Sequence, residues 1–184
     1  FYDVNTCMLT DLNQALNVIG NAESIFSKTN GHIIDSLPTV RFNRAGIIDK
    51  ESQGSRWDFL ASSEVNTFEK YNAETPKFHT LIFTPTKKEL EYKIRKAKFK
   101  AKRIMLPLFQ SQWLENNLDA PPSTGLQVLY YLSEMNNKQV NIFGFDFKET
   151  RTFYETRNKG QHDYNKEKTF ILNLVDKNGW KIYR

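Results

Sequence analysis

The chain has 184 residues, 39% hydrophobic and 14% aromatic, which supplies the apolar mass for one sizeable core and excludes a disordered polymer. Its one cysteine, Cys7, excludes an internal disulfide, and the lack of a run of about 18 apolar residues excludes a membrane-spanning helix. The formal net charge of +5 comes largely from Lys87 to Arg103, where lysines and arginines far outnumber Glu89 and Glu91.

Ala15 to Ile19 reads as a first strand, closed by Gly20-Asn21-Ala22-Glu23-Ser24, a tight turn into a helix. A small residue followed by an amide at a strand's carboxyl end suits a nucleotide site, although the three-glycine dinucleotide fingerprint is missing. Pro38 to Asn43 gives a second strand that also finishes in an amide. Asparagine is an ordinary turn residue; two of them at strand ends point to one shared polar ligand. Gly54 to Leu60 leads into a third strand, and Lys77 to Phe83 forms a fourth, ended by Thr84-Pro85-Thr86. The basic segment follows as a helix over 87–103. Its Leu90, Ile94, Ala97 and Ala101 fall on one stripe, so the charge reads first as a solvated face and second as a contact for nucleic acid or an anionic surface. Ile104-Met105-Leu106 is a short strand, and Pro107 to Pro122 reads as a loop.

The stretch from Pro121 to Phe147 organises the rest. Ser123 caps a new helix through its hydroxyl, and Gly125 admits a close approach to the first turn. Unpaired N–H groups and the positive end of the dipole make that turn an anion or nucleotide site; a capped core helix without a ligand fits this stretch equally well. Leu126, Val128, Leu129, Tyr130 and Leu132 are apolar nearly all round, which predicts a buried helix. Val140, Ile142 and Phe143 form an interior strand whose carboxyl end opens at Gly144. The polar stretch beyond it is long for a connection, a mark of functional loops. Asp163 caps the last helix, Phe170, Ile171, Leu174 and Val175 are its inner face, Gly179 ends it, and Trp180 to Tyr183 is a final strand. His162 then stands just before a helix N-terminus, where the dipole favours the neutral, base-competent imidazole. Strands alternating with helices predict one α/β domain over 1–184, a mostly parallel twisted sheet flanked by helices.

In their order and spacing these segments resemble the animal-type sialyltransferases. Val18 to Ala22, Ile34-Asp35-Ser36, Val40 to Ala45 and Gly54-Ser55-Arg56 resemble the long donor-binding motif of that family. Pro122 to Leu126 with Val140 to Phe145 resembles the short motif, Thr152-Phe153-Tyr154-Glu155 the third, and His162 with Glu167 the last. The resemblance implies a Rossmann-like variant of the GT-A glycosyltransferase fold. It implies a metal-independent, inverting transfer of sialic acid from a CMP-linked donor to a glycan or glycolipid hydroxyl, with no cofactor and no nucleic-acid partner. Transfer of another CMP-linked keto-sugar acid, such as Kdo, is the nearest alternative. Asn21 and Asn43 would bind the nucleotide, Ser123, Thr124 and Gly125 would hold cytidine and phosphate, and Gly144, Thr152 and Tyr154 would complete the donor site. His162 would be the general base, with Glu155 in reserve. The chain has no Asp-x-Asp pair, in keeping with a metal-free site.

Three departures bear on the transfer. Thr152 stands where the family carries a histidine that helps bind the donor phosphate, so the stabilisation would come from Tyr154, Arg151 or another residue. The disulfide that joins the long and short motifs is absent, which points to a bacterial, viral or otherwise cytosolic relative, cytoplasmic or resting on a membrane surface through the basic segment. Phe1 is not an initiator residue, which leaves room for an anchor or signal ahead of it. The chain is shorter than the animal catalytic domains, so the acceptor does not carry over. The competing classes are a nucleic-acid or anionic-surface binding module built on 87–103 and a donor-binding protein that has lost transfer.

Overall fold

The computed structural model describes residues 12–44, 46–68, 79–96, 101–137, 139–154 and 161–184. Cys7, the reserve base Glu155, the predicted start of the fourth strand at Lys77, and positions 97–100 of the basic segment lie outside the described residues.

Seven strands form one sheet: β1 (Leu16–Ile19), β2 (Thr39–Phe42), β3 (Phe59–Ser62), β4 (Thr80–Phe83), β5 (Lys102–Met105), β6 (Val140–Phe143) and β7 (Lys181–Tyr183). Their order is β5-β4-β3-β2-β1-β6-β7, and each neighbouring pair runs parallel. Every residue of β1 to β4 is buried, as a parallel sheet covered on both faces requires. The helices are α1 (Gly31–Ile34), α2 (Lys50–Gln53), α3 (Lys88–Lys96), α4 (Leu108–Leu118), α5 (Thr124–Glu134) and α6 (Tyr164–Asn178), with a 3-10 turn at Glu23–Ser27. The two-residue period of a strand divides the core between the faces. Val18, Val40, Ala61, Ile82, Ile104 and Ile142 join the cluster packed by α4, α5 and α6. Leu60, Leu81 and Phe83 pack with Phe68 and Ile94 in a second cluster, and Ile19 and Phe143 with Ile25 and Ile34 in a third.

Two sequence expectations change. The basic helix does not run to Arg103: Lys102 and Arg103 open β5, because the strand expected at Ile104 and Met105 extends back along β4, pairing Lys102 with Thr80 and Arg103 with Leu81. Charged side chains on an edge strand also discourage further strand addition. On α3 itself Ile94 is buried, Arg95 pairs with Glu91 at 2.7 Å, and the Lys96 ammonium sits 4.5 Å from the Tyr92 ring centroid, the arrangement of a solvated face. The predicted loop from Pro107 to Pro122 contains α4. Its apolar residues fall on more than one face, so that Leu114 and Leu118 are buried while Phe109 is 68% and Trp113 44% exposed, and no inner stripe marks it. Among the described residues no helix is long and apolar enough to cross a membrane.

The chain winds outward from β1 to β5, then returns to place β6 on the other side of β1. The carboxyl ends of β1 and β6 are therefore the topological switch point, where open α/β sheets bind ligands. The two ends touch: Gly20 N–H donates to Phe143 O at 2.7 Å and Ala22 N–H to Gly144 O at 3.3 Å. A Cβ on Gly20 would lie 2.2 Å from Gly144 O, a backbone atom that cannot move aside, whereas one on Gly46 would find its nearest neighbour at 4.0 Å. Gly20→Ala should cost at least about 2 kcal/mol in urea unfolding and Gly46→Ala close to nothing, so equal midpoints for the two variants would refute the close packing of β1 on β6.

Candidate active site

A cavity of about 560 Å³ opens at the switch point, a size that suits a small-molecule ligand. Its wall includes the carboxyl ends of β1, β2 and β6, the first turn of α5 and the start of α6. Asn21, Asn43, Ser123, Thr124, Gly125, Gly144, Thr152, Tyr154 and His162 all line it, so the fold brings these nine residues together. Of the three histidines only His162 does so. His32 is exposed on α1, and His79 is exposed just ahead of β4.

The two strand-end amides play unequal parts. Asn21 spends its Nδ2 on Phe42 O at 3.0 Å and the Tyr154 hydroxyl at 3.2 Å, which leaves its carbonyl oxygen to accept from a ligand. Asn43 sits at φ +53, a left-handed conformation that asparagine tolerates, and its Oδ1 accepts from Ser62 Oγ at 3.0 Å. Its backbone N–H donates to Ala61 O, but its side-chain Nδ2 makes no protein hydrogen bond among the described residues, so Asn43 is the donor of the two. Other parts of the long-motif resemblance are scaffold. Asp35 accepts from Ser55 N, Ser55 Oγ and Arg56 N at 2.8 to 2.9 Å, and the buried Arg41 donates to Gln53 O and Arg56 O.

Ser123 is the N-cap of α5, as its position predicts, and its Oγ accepts from Leu126 N at 3.2 Å. Both of its donors go to one carboxylate: Ser123 N donates to Glu167 Oε1 and Ser123 Oγ to Glu167 Oε2, each at 2.7 Å. The turn thus offers a ligand the N–H groups of Thr124 and Gly125, which precede the first intrahelical bond from Gln127 N to Ser123 O. Gly125 is small for a reason the sequence does not disclose. A Cβ there would meet Phe145 Cε1 at 2.8 Å, so the close approach it permits is that of the Phe145 ring.

Glu167 is only 3% exposed, and burial pushes its carboxyl above the usual range against the opposing pull of the Ser123 hydrogen bonds and of His162. His162 is half-buried, with Nδ1 2.7 Å from Pro121 O and its ring edge-on to Tyr164 at 5.7 Å between centroids. A backbone carbonyl can only accept, so Nδ1 is the donor in this contact, and in the neutral imidazole the lone pair is on Nε2.

Thr152 is buried and bridges to Ala22 across the mouth of β1. Its hydroxyl accepts from Lys148 Nζ at 2.5 Å. Lys148 also lines the cavity and was not singled out from the sequence, because nothing in the polar run after Gly144 distinguishes it from Lys168 or Lys166. Arg151, an expected phosphate partner, lies on the lining with its side chain 60% exposed and 3.6 Å from Glu23. Among the described residues no three His, Cys, Asp or Glu side chains gather as a metal-ligand set.

This architecture is the sialyltransferase fold. Sequence comparison matches no family model and no curated protein. Solved structures do match: a mammalian sialyltransferase, also seen with Galβ1-3GalNAc-ortho-nitrophenol, is 20% identical at a TM-score of 0.66, over 92% of this chain and 68% of that one. The sialyltransferase CstII from Campylobacter jejuni in complex with the substrate analogue CMP-3FNeuAc is 13% identical at the same TM-score, over 92% of this chain and 80% of its own. CstII with a trisaccharide acceptor and CMP is 14% identical at 0.64.

The buried carboxyl gives a signed prediction. In the unfolded chain Glu167 titrates near 4.5, while in the fold it holds its proton to higher pH. Its contribution to stability is therefore fullest below 4.5 and is lost as pH rises toward the folded value. Glu167→Gln, which keeps an acceptor for Ser123 and cannot ionise, should gain on the parent over that rise. Urea midpoints measured from pH 4 upward should diverge in favour of the variant, and parallel curves would show that Glu167 is not held protonated by burial.

Proposed function

We propose that this chain is a sialyltransferase that moves sialic acid from a CMP-linked donor to a glycan hydroxyl with inversion and without a metal. The observation that carries the reading is a cavity at the switch point of a sialyltransferase fold, with His162 and the first turn of α5 in one wall. The CMP and CMP-sugar complexes of the similar structures make a CMP-linked donor the first ligand to test.

The cytidine monophosphate half would lie across the Asn21 and Asn43 strand ends, with its phosphate toward Thr124 and Gly125. Asn21 offers an acceptor there and Asn43 a donor, a pairing suited to a base or ribose edge that carries both. His162, with Nδ1–H committed to Pro121 O, would accept the acceptor hydroxyl proton at Nε2. The hydroxyl oxygen bonds to the anomeric carbon as the bond from that carbon to the phosphate oxygen breaks, and the electron pair leaves with CMP. One displacement inverts the centre. The charge that develops is a single phosphate, which N–H groups at a helix N-terminus stabilise without a divalent ion.

His162→Ala should lower the transfer rate by about a hundred- to ten-thousand-fold with CMP affinity nearly unchanged, because a positioned base contributes that factor to chemistry and nothing to nucleotide contact. A variant that keeps most of its rate with CMP-sialic acid would remove His162 from the mechanism. EDTA should leave the wild-type rate intact; a loss restored by manganese or magnesium would end the metal-independent reading. Titration of CMP-sialic acid against CMP-Kdo, UMP and GDP decides the donor, and a preference for either of the last two would overturn the CMP assignment.

A further inference from the structure

We propose that Lys148 is the cation of the donor site, binding the phosphate of the nucleotide and meeting the charge that the phosphate gains on departure. The inference rests on the CMP-donor reading above and adds to it a residue that no motif identifies.

Three basic side chains other than His162 line the cavity, and their surroundings differ. Lys87 is exposed at the rim, and Arg151 is exposed beside Glu23. Lys148 is half-buried and forms no ion pair among the described residues; its ammonium instead donates to the buried Thr152 hydroxyl at 2.5 Å and lies 5.5 Å from the Tyr164 ring centroid. A lysine ordinarily keeps its ammonium in water, and one drawn against a wall with a neutral hydroxyl for company is placed for an anion that comes with a ligand. The Tyr164 ring also meets His162 edge-on, so the cation and the base lie against the same side chain.

The backbone spends energy to hold it there. Phe147 and Lys148 are consecutive left-handed residues, at φ +58 and +68, and neither is glycine, so each is strained. The buried Asp146 carboxylate maintains the turn by accepting from Lys148 N at 3.1 Å, Thr150 N at 3.0 Å and the Thr150 hydroxyl. Asp146 is thereby occupied with the turn, and the lysine charge is left for the cavity. In the transfer step the bond from the anomeric carbon to the phosphate oxygen breaks with its pair on oxygen, so the phosphate gains one negative charge while the acceptor proton passes to His162. An ammonium at Thr152 is favoured more by that product-like phosphate than by the bound donor, which makes its effect catalytic as well as binding.

Calorimetric titration of CMP and of cytidine into the wild type, Lys148→Met and Lys148→Arg tests this. The wild type should prefer CMP. Lys148→Met should weaken CMP roughly ten- to a hundred-fold with cytidine unchanged, as loss of a charged hydrogen bond predicts, and Lys148→Arg should recover most of the preference. Should the Met variant fail to fold, Lys148→Gln keeps a donor for Thr152 and reads the same ratio. A neutral variant that binds CMP like the wild type, or loses cytidine as much as CMP, overturns the role of Lys148 while leaving the donor site standing. A wild type that binds neither ligand overturns the donor reading, and this inference with it.

Discussion

Gly20 and Gly144 stand back to back at the ends of β1 and β6, with no room for a Cβ between either glycine and the other's carbonyl. Phe145 follows at once, and its ring lies against both Gly20 and Gly125, 2.8 Å from where a Cβ would stand on each. The same ring meets Phe42 edge-on at 5.8 Å between centroids. One aromatic side chain thus sets the first turn of α5 against the ends of β1, β2 and β6. Were either glycine larger, the turn would stand off from the sheet, and the cavity would lose a wall before it lost a contact.

The second constraint is a buried carboxylate. Glu167 belongs to the first turn of α6 and grips both donors of the residue that caps α5, so it sits where two helix N-termini turn their positive ends. His162 is held by Pro121 O, two residues ahead of that cap. The imidazole and the turn are thereby parts of one body, and the fold fixes the distance between them. A carboxylate in the wall makes the cavity more negative to the degree that it is ionised, so burial that favours the protonated Glu167 and the Lys148 ammonium elsewhere in the wall act in the same direction.

What was legible in the sequence followed from rules of short range. β1, β2, β6, the Ser123 and Asp163 caps and the Gly179 stop each depend on a few adjacent residues whose propensity and tertiary role agree. Asn21, Asn43, Ser123, Thr124, Gly125, Gly144 and His162 line one cavity because strand ends and helix starts converge at a switch point once the sheet is parallel, whereas Thr152 and Tyr154 are reached from the sequence only through the motif resemblance. What escaped depends on distance in the chain. α4 has no apolar stripe because Trp113 stacks on Tyr130 of α5 at 5.1 Å, a contact that makes an outward aromatic useful and blurs the period. The division of labour between Asn21 and Asn43 turns on Tyr154 and Ser62, and the role of Gly125 turns on Phe145. Lys148 is placed by two left-handed residues whose conformation no local pattern announces.

The same distinction accounts for a shared fold at 13 to 20% identity. Most core positions of a parallel sheet ask for apolar volume, and Val, Ile, Leu and Phe exchange there at modest cost when the total is kept. Identity at such positions carries little information about architecture. Positions where geometry leaves one answer are few: a glycine whose Cβ would strike a carbonyl, a hydroxyl that both caps a helix and binds a buried carboxylate, an aspartate at a helix end that ties down a loop through three donors. In this chain Gly20, Ser123 and Asp35 answer to those descriptions, and all lie within the segments that carry the motif resemblance. Such a motif records the mechanical demands of a site as much as its chemistry. A residue within it can therefore be indispensable through packing alone, and one outside it, at the end of a strained turn, can reach the same cavity without being announced.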